Sequence, residues 1–222
     1  MSGPFVTNFA DLPETLPIFP LHGVILLPRG RLPLNVFESR YLELINDALG
    51  QGRLLGIIQP IEEENNANPM PALFRTGCVG RISSFSETDD GRYMVVVNGV
   101  SRFVVHEELL PRKNYRRIRP LYEPFRNDFD DRPPAFELNR KRLMQSFERC
   151  APLFGINIPR KNLDEMSDRS LIITLSLISP FEPREKQALL ETPSEQERID
   201  LLITLLEMAA LADRRGVRPT RQ

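Results

Sequence analysis

The hydrophobic period changes once along this chain, and that change constrains the fold more than any other feature. Up to about Tyr122, apolar and polar residues alternate in short runs broken by Gly, Asn, Asp and Pro, the mark of half-buried strands. Beyond Pro134, apolar residues return every three or four positions, the mark of amphipathic helices. Between them lies Glu123–Pro134, EPFRNDFDDRPP, a linker by composition. The expectation is an α+β chain, with residues 1–123 forming a β subdomain and 124–222 an α-helical one.

Within the first part, Pro17–Leu21, Val24–Leu27 and Leu32–Phe37 read as short strands. Prolines in the first of them favour a sheet edge, because proline lacks a ladder donor. A helix capped by Ser39 or Glu38 follows, with Tyr41, Leu44, Ile45 and Ala48 on one face and Gly50 and Gly52 at its end. Leu54–Gln59 is another strand, and Glu62–Pro71 a polar, proline-marked loop. Asp89-Asp90-Gly91 predicts a hairpin between strands Gly80–Ser86 and Arg92–Val97. Asn98-Gly99 predicts a second, leading into Val100–Val105, because Asn-Gly supplies the positive φ angles of a type I′ turn. Tyr115–Tyr122 closes the series. Many short strands with one inserted helix predict a closed or half-closed barrel, which leaves few exposed edges.

In the second part, helices are expected over Ala135–Cys150, Leu171–Ile178 and Arg184–Leu190. A final helix is expected to start from Thr192-Pro193-Ser194-Glu195, read as N-cap Thr, Pro at N1 and Glu at N3. Run to Arg215 and stopped by Gly216, that helix would be roughly 34 Å long.

Composition excludes several function classes. The 222 residues are 41% hydrophobic and carry a formal charge of −1. Folding at this length buries roughly 70% of the unfolded surface, so no disulfide or metal is needed as a staple. The near-neutral charge argues against bulk attraction to nucleic acid. Cys78 and Cys150 are the only cysteines, and they read as free thiols in a reducing compartment. The N-terminus shows no signal-peptide pattern, and apolar runs are too short for a membrane helix. A cytoplasmic setting without membrane attachment is expected.

The chemistry of an enzyme is hard to find. The chain has only four lysines: Lys113, Lys141, Lys161 and Lys186. None completes a P-loop, which needs a glycine-rich run ending in Lys-Ser or Lys-Thr. All four fall in charge-rich stretches, where a solvated lysine rather than a desolvated base is expected. Cys78, Cys150, His22 and His106 show no metal-ligand spacing and no convincing nucleophile–base pair. Acidic pairs such as Asp89-Asp90, Glu107-Glu108 and Asp130-Asp131 sit in turns or strand ends rather than in enclosed sites. No catalytic residue, metal or cofactor is expected.

Two clusters remain as binding candidates. Arg112, Lys113, Arg116, Arg117 and Arg119 surround Tyr115, a basic patch with an aromatic; further basic residues occur at Arg140-Lys141-Arg142 and in the tail at Arg214, Arg215, Arg218 and Arg221. Phe37-Glu38-Ser39-Arg40-Tyr41 sits at a strand–helix corner. It either packs that corner or rims a groove for an extended peptide, with Leu34, Phe37, Arg40 and Tyr41 near the surface.

The chain resembles the N-terminal substrate-binding domain of Lon proteases. The resemblance is carried by Leu16-Pro17-Ile18-Phe19-Pro20-Leu21, Leu27-Pro28, Leu32-Pro33-Leu34-Asn35-Val36-Phe37-Glu38 and Arg40-Tyr41. Gly77-Cys78-Val79-Gly80-Arg81-Ile82, Gly99 with Arg102-Phe103, and Glu185-Lys186-Gln187-Ala188-Leu189-Leu190-Glu191 agree as well. It looks most like the standalone bacterial LON-domain proteins. The resemblance implies a PUA-like β-barrel followed by a helical bundle, and a non-catalytic module that binds polypeptide substrates or protein partners. Because PUA-like barrels elsewhere bind RNA, Arg112, Arg116, Arg117 and Arg119 would carry an alternative, RNA-binding reading. A homodimer through apolar faces is a third. Family members commonly place Gly directly after the Pro that is Pro28 here. This chain has Arg29 and then Gly30, so the turn is expected to shift by one residue.

Overall fold

The computed structural model describes residues 8–62, 70–130 and 136–214. Most of the Glu62–Pro71 loop, the end of the Glu123–Pro134 linker, Gly216 and the arginines beyond Arg214 lie outside the described residues. Two compact units divide at Arg132 and Pro133.

The first unit holds strands β1 (Leu16–Pro20), β2 (Arg31–Val36), β3 (Leu54–Ile58), β4 (Thr76–Glu87), β5 (Tyr93–Arg112) and β6 (Tyr115–Leu121). Helix α1 (Ser39–Gly50) lies between β2 and β3. The strand order is β2-β5-β4-β3-β1-β6, and β6 pairs back onto β5. That second pairing closes β1, β3, β4, β5 and β6 into a barrel. β1 and β3 are parallel, and a parallel pair needs a crossover, which the α1 segment supplies. Each barrel strand contributes to one core cluster: Leu16 and Ile18, Leu54 and Ile58, Val79, Phe103 and Ile118.

The long β5 makes closure possible, and it corrects the reading of Asn98-Gly99 as a turn. The chain runs straight through these residues, from pairs with β2 and β4 to pairs with β6. Gly99 is needed for close approach instead. A Cβ there would lie 2.0 Å from the Leu27 carbonyl oxygen, because the Leu27–Gly30 turn docks on this point through Arg29 N–H to Gly99 O and Gly99 N–H to Gly30 O, each 2.8 Å. The hairpin at Asp89-Asp90-Gly91 forms as expected, with Gly91 at φ 77°. The other tight turn, at Lys113-Asn114 between β5 and β6, places Lys113 at φ 52°. It has no Gly to announce it.

Val24–Leu27 is not a strand. It is an irregular segment whose Ile25, Leu26 and Leu27 are buried. In the turn after it, Gly30 N–H bonds Leu27 O at 2.8 Å, and Arg29 itself takes φ 63°. That conformation costs an L-residue about 1–2 kcal/mol. The Arg29 guanidinium offsets part of the cost by donating to the carbonyls of Asp128 and Asp130, at 3.2 and 2.7 Å.

Those carbonyls end a 3-10 segment, Glu123–Phe129, which the sequence reads as linker. It is held to the barrel by a buried ion pair. Asp128 accepts from Arg102 N–H at 2.8 Å, from Nε at 3.1 Å and from Nη2 at 2.9 Å. The Arg102 guanidinium also stacks over Phe125, 4.4 Å from the ring centroid.

The second unit holds α2 (Arg140–Cys150), α3 (Arg160–Asp164), α4 (Asp168–Ile178), α5 (Pro183–Glu191) and α6 (Glu195–Arg214). α2 and α4 start from Asn139 and Ser167, whose side chains accept from N–H groups in the first turn. Thr192 is not the cap of the last helix. Its hydroxyl donates to Leu189 O and ends α5, and Ser194 takes the capping role by accepting from Glu197 N–H at 3.2 Å. α3 is too short for its period to be legible.

Lys186 is also corrected: it is buried rather than solvated. Its ammonium donates to Leu177 O at 3.3 Å, in the last turn of α4. Arg198, likewise buried, donates to Leu189 O at 2.9 Å, in the last turn of α5. Both cations sit where the partial negative charge of a helix C-terminus gathers.

Candidate functional site

The four residues of the strand–helix corner go to different places. Leu34 is half-buried and lies opposite Val95, on the side of the sheet that faces the core. Tyr41 is 5% exposed and stacks on Phe19 with 4.0 Å between centroids. Arg40 lies over the Tyr41 ring at 4.6 Å and pairs with Glu38 at 2.7 Å. Phe37 alone is open, at 63% exposure.

Phe37 belongs to a solvent-facing sheet surface. On β2 the exposed residues are Arg31, Pro33 and Asn35, alternating with half-buried Leu32 and Leu34. Directly across on β5 stand Asn98, Val96 and Met94. Met94 is 43% exposed, and the Arg92 guanidinium lies 5.8 Å from the Phe37 ring centroid. Pro33, Phe37, Met94 and Val96 thus make an apolar strip on a surface otherwise built of Asn, Ser and Arg. β2 pairs with β5 alone, so among the described residues its outer edge carries no strand. Sequence reasoning found Phe37 but missed Met94 and Val96, because the Asn98-Gly99 turn assignment broke β5 at the wrong point.

Arg40 and Tyr41 line a separate groove with Pro20, Met70, Pro71, Pro111, Asn114, Tyr115 and Arg116. It joins two members of the peptide cluster, Arg40 and Tyr41, to Tyr115 and Arg116 of the basic patch. Its cavity is about 50 Å³, far below the roughly 300 Å³ at which small-molecule sites begin.

The residues of the basic patch are bonded within the β unit. Arg116 forks onto Glu108 at 2.6 and 2.8 Å and also donates to Pro71 O at 2.8 Å. Arg117 donates to Leu110 O at 3.0 Å, and Arg119 pairs with Glu107. Asp47 on α1 collects the rest: Lys113 Nζ at 2.7 Å, Tyr115 Oη at 2.7 Å and Arg112 at 3.7 Å. The bonds from Lys113 and Tyr115 hold the Asp47 carboxyl below the usual carboxylate range. Burial, then Asp47, pushes the Tyr115 phenol up to about 12.

A group whose folded pKa is lowered stabilises the fold above its unfolded value, and that contribution disappears as pH falls through the folded value. Asp47→Ala is therefore expected to lose about 2 kcal/mol near pH 7. The gap to wild type should narrow below about pH 4. Urea unfolding at both pH values checks this, and an unchanged gap would refute the role of Asp47.

The Lys186 ammonium bonds a backbone carbonyl, and the hydroxyl of the buried Ser179 has no hydrogen-bond partner among the described residues. Burial pushes the Cys150 thiol up to about 11, which leaves it protonated and unreactive. Among the described residues, no three His, Cys, Asp or Glu side chains gather to hold a metal, and no helix is long and apolar enough to cross a membrane.

Comparisons with known proteins agree with this architecture. Residues 15–208 match the model of the ATP-dependent protease La (LON) substrate-binding domain. A Lon protease of Anaeromyxobacter dehalogenans is 28% identical over 209 residues, covering 93% of this chain and 24% of that protein. A Lon protease of Flavobacterium johnsoniae is 28% identical over 199 residues, covering 86% and 24%. The chain therefore spans about a quarter of the length of these relatives. Among solved structures, a Lon N-terminal domain protein from Xanthomonas campestris superposes with a TM-score of 0.56 at 21% identity, over 86% of this chain and 97% of that one. The N-terminal domain of the Mycobacterium avium complex Lon protease gives 0.56 at 18% over the same shares. These likenesses establish an α+β fold with C-terminal helices, and the match over residues 15–208 places the chain in the LON substrate-binding domain family, apart from the protease and ATPase domains.

Proposed function

We propose that this chain is a non-catalytic module that binds extended polypeptide segments, as substrates or as partners. The observation that carries the reading is the surface around β2: an apolar strip that ends at an exposed Phe37, beside a strand edge to which no strand is paired among the described residues. Extended peptides are recognised in this way, by main-chain bonds to a sheet edge and side-chain contacts on alternate positions. Cleavage is left to other proteins or domains, since the sequence has no P-loop to drive ATP-dependent proteolysis. Free buried thiols at Cys78 and Cys150 suit a reducing compartment such as the cytoplasm.

The test is anisotropy of a fluorescent unfolded segment. Phe37→Asp is expected to weaken binding about tenfold, as loss of an aromatic anchor does, without lowering the melting temperature. Equal binding by wild type and variant would reject the reading. ATP-dependent cleavage of the segment by the purified protein would overturn its non-catalytic half.

The RNA-binding alternative lacks such support. Arg116, Arg117 and Arg119 are already bonded to carboxylates or carbonyls, so phosphates would have to displace those partners.

A further inference from the structure

We infer that the β2 surface selects segments carrying a carboxylate side chain six residues after an apolar one, and that Arg31 reads that carboxylate. This rests on the polypeptide-binding reading and adds a specificity determinant to it. The charges at the two ends of the strip differ in their pairing. At its Phe37 end lie Glu38, paired with Arg40, and the hairpin acids Asp89 and Asp90, the latter paired with Arg92. At its other end stands Arg31, exposed, with no hydrogen-bond or ion-pair partner among the described residues. Asn98 across the ladder is neutral, so nothing on the strip satisfies the guanidinium.

An extended segment along β2 places every second side chain on this surface. Arg31 and Phe37 are six residues apart, about 20 Å at roughly 3.3 Å per residue. A side chain that rests on Phe37 is therefore followed by others near Asn35 and Pro33, and the one six positions away meets Arg31. The antiparallel direction, which makes the better ladder, puts the apolar residue first and the carboxylate after it. The reverse placement would bring the carboxylate to Arg40 and Arg92, whose charges are already engaged by Glu38 and Asp90. Pro33 offers no N–H, so main-chain bonding along the edge is incomplete, and side-chain contacts at the two ends carry more of the selection.

The experiment uses a fluorescent peptide that is polar except for Phe at one position, with Glu six residues later, and a second peptide with Lys in place of Glu. Anisotropy titrations at low salt are run with the full chain, Arg31→Glu and Phe37→Asp. Wild type is expected to prefer the Glu peptide roughly five- to tenfold, the scale of an exposed pair changed from attraction to repulsion. Arg31→Glu should invert the preference. If Phe37→Asp abolishes binding while Arg31→Glu leaves both affinities unchanged, the peptide site stands and the carboxylate inference falls. If neither peptide binds wild type, or Phe37→Asp changes nothing, the underlying reading falls and takes the inference with it. Arg31 is exposed, so matching circular dichroism spectra separate a recognition effect from misfolding.

Discussion

Replacing Asp128 with alanine is expected to remove about 3–5 kcal/mol of stability from the barrel unit. The melting temperature should fall by roughly 10–20 °C. Arg102 and Asp128 are 7% and 9% exposed, and Asp128 accepts two side-chain bonds and one main-chain bond from Arg102. Truncation would leave a guanidinium facing a desolvated space without its counter-charge. It would also release the 3-10 segment that carries the carbonyls bonded by Arg29. The double change Arg102→Met with Asp128→Leu should recover much of the loss, because it removes the stranded charge. Urea unfolding measures both variants. A loss below about 1 kcal/mol for Asp128→Ala would mean that the pair does not hold the segment.

The second large effect is expected at Phe103. Its side chain is fully buried, and two glycines leave it room. A Cβ on Gly77 would lie 2.4 Å from its Cζ atom, and one on Gly56 3.1 Å from its Cε1 atom. Phe103→Ala should cost about 3–5 kcal/mol, by lost burial and an unfilled cavity. Gly77→Ala should cost about 1–3 kcal/mol by overpacking, since its Cβ would also press the Ile57 carbonyl at 2.7 Å. The two sites touch, so Phe103→Leu combined with Gly77→Ala should cost less than the sum of the single changes. Strict additivity in denaturant titrations would show that the glycine is not there to admit the ring.

How much was legible follows the range of the forces involved. The α1 stripe of Tyr41, Leu44, Ile45 and Ala48 is buried as its spacing implies, because helical period is a property of neighbours three and four apart. The Asp89-Asp90-Gly91 hairpin was legible for the same reason. Asn98-Gly99 misled, since the same dipeptide serves a type I′ turn and a close backbone approach, and only the Leu27–Gly30 turn arriving from elsewhere decides which. The pairing within the basic patch was illegible for a similar reason. Its charges are conspicuous in one dimension, but Lys113 and Tyr115 meet Asp47, which lies 66 and 68 residues away.

The sequence by itself determined the α+β class and the family, because periodicity and ordered short motifs are local. It also singled out Phe37. The tertiary structure decided what each polar group is free to do. Pairing of β5 with β2 set Met94 and Val96 on the face of Phe37, packing of α4 against α5 buried Lys186 at a helix end, and cross-strand pairs tied Arg116 to Glu108 and Arg119 to Glu107. Burial and charge pairing depend on which distant segments meet, and no local pattern encodes that.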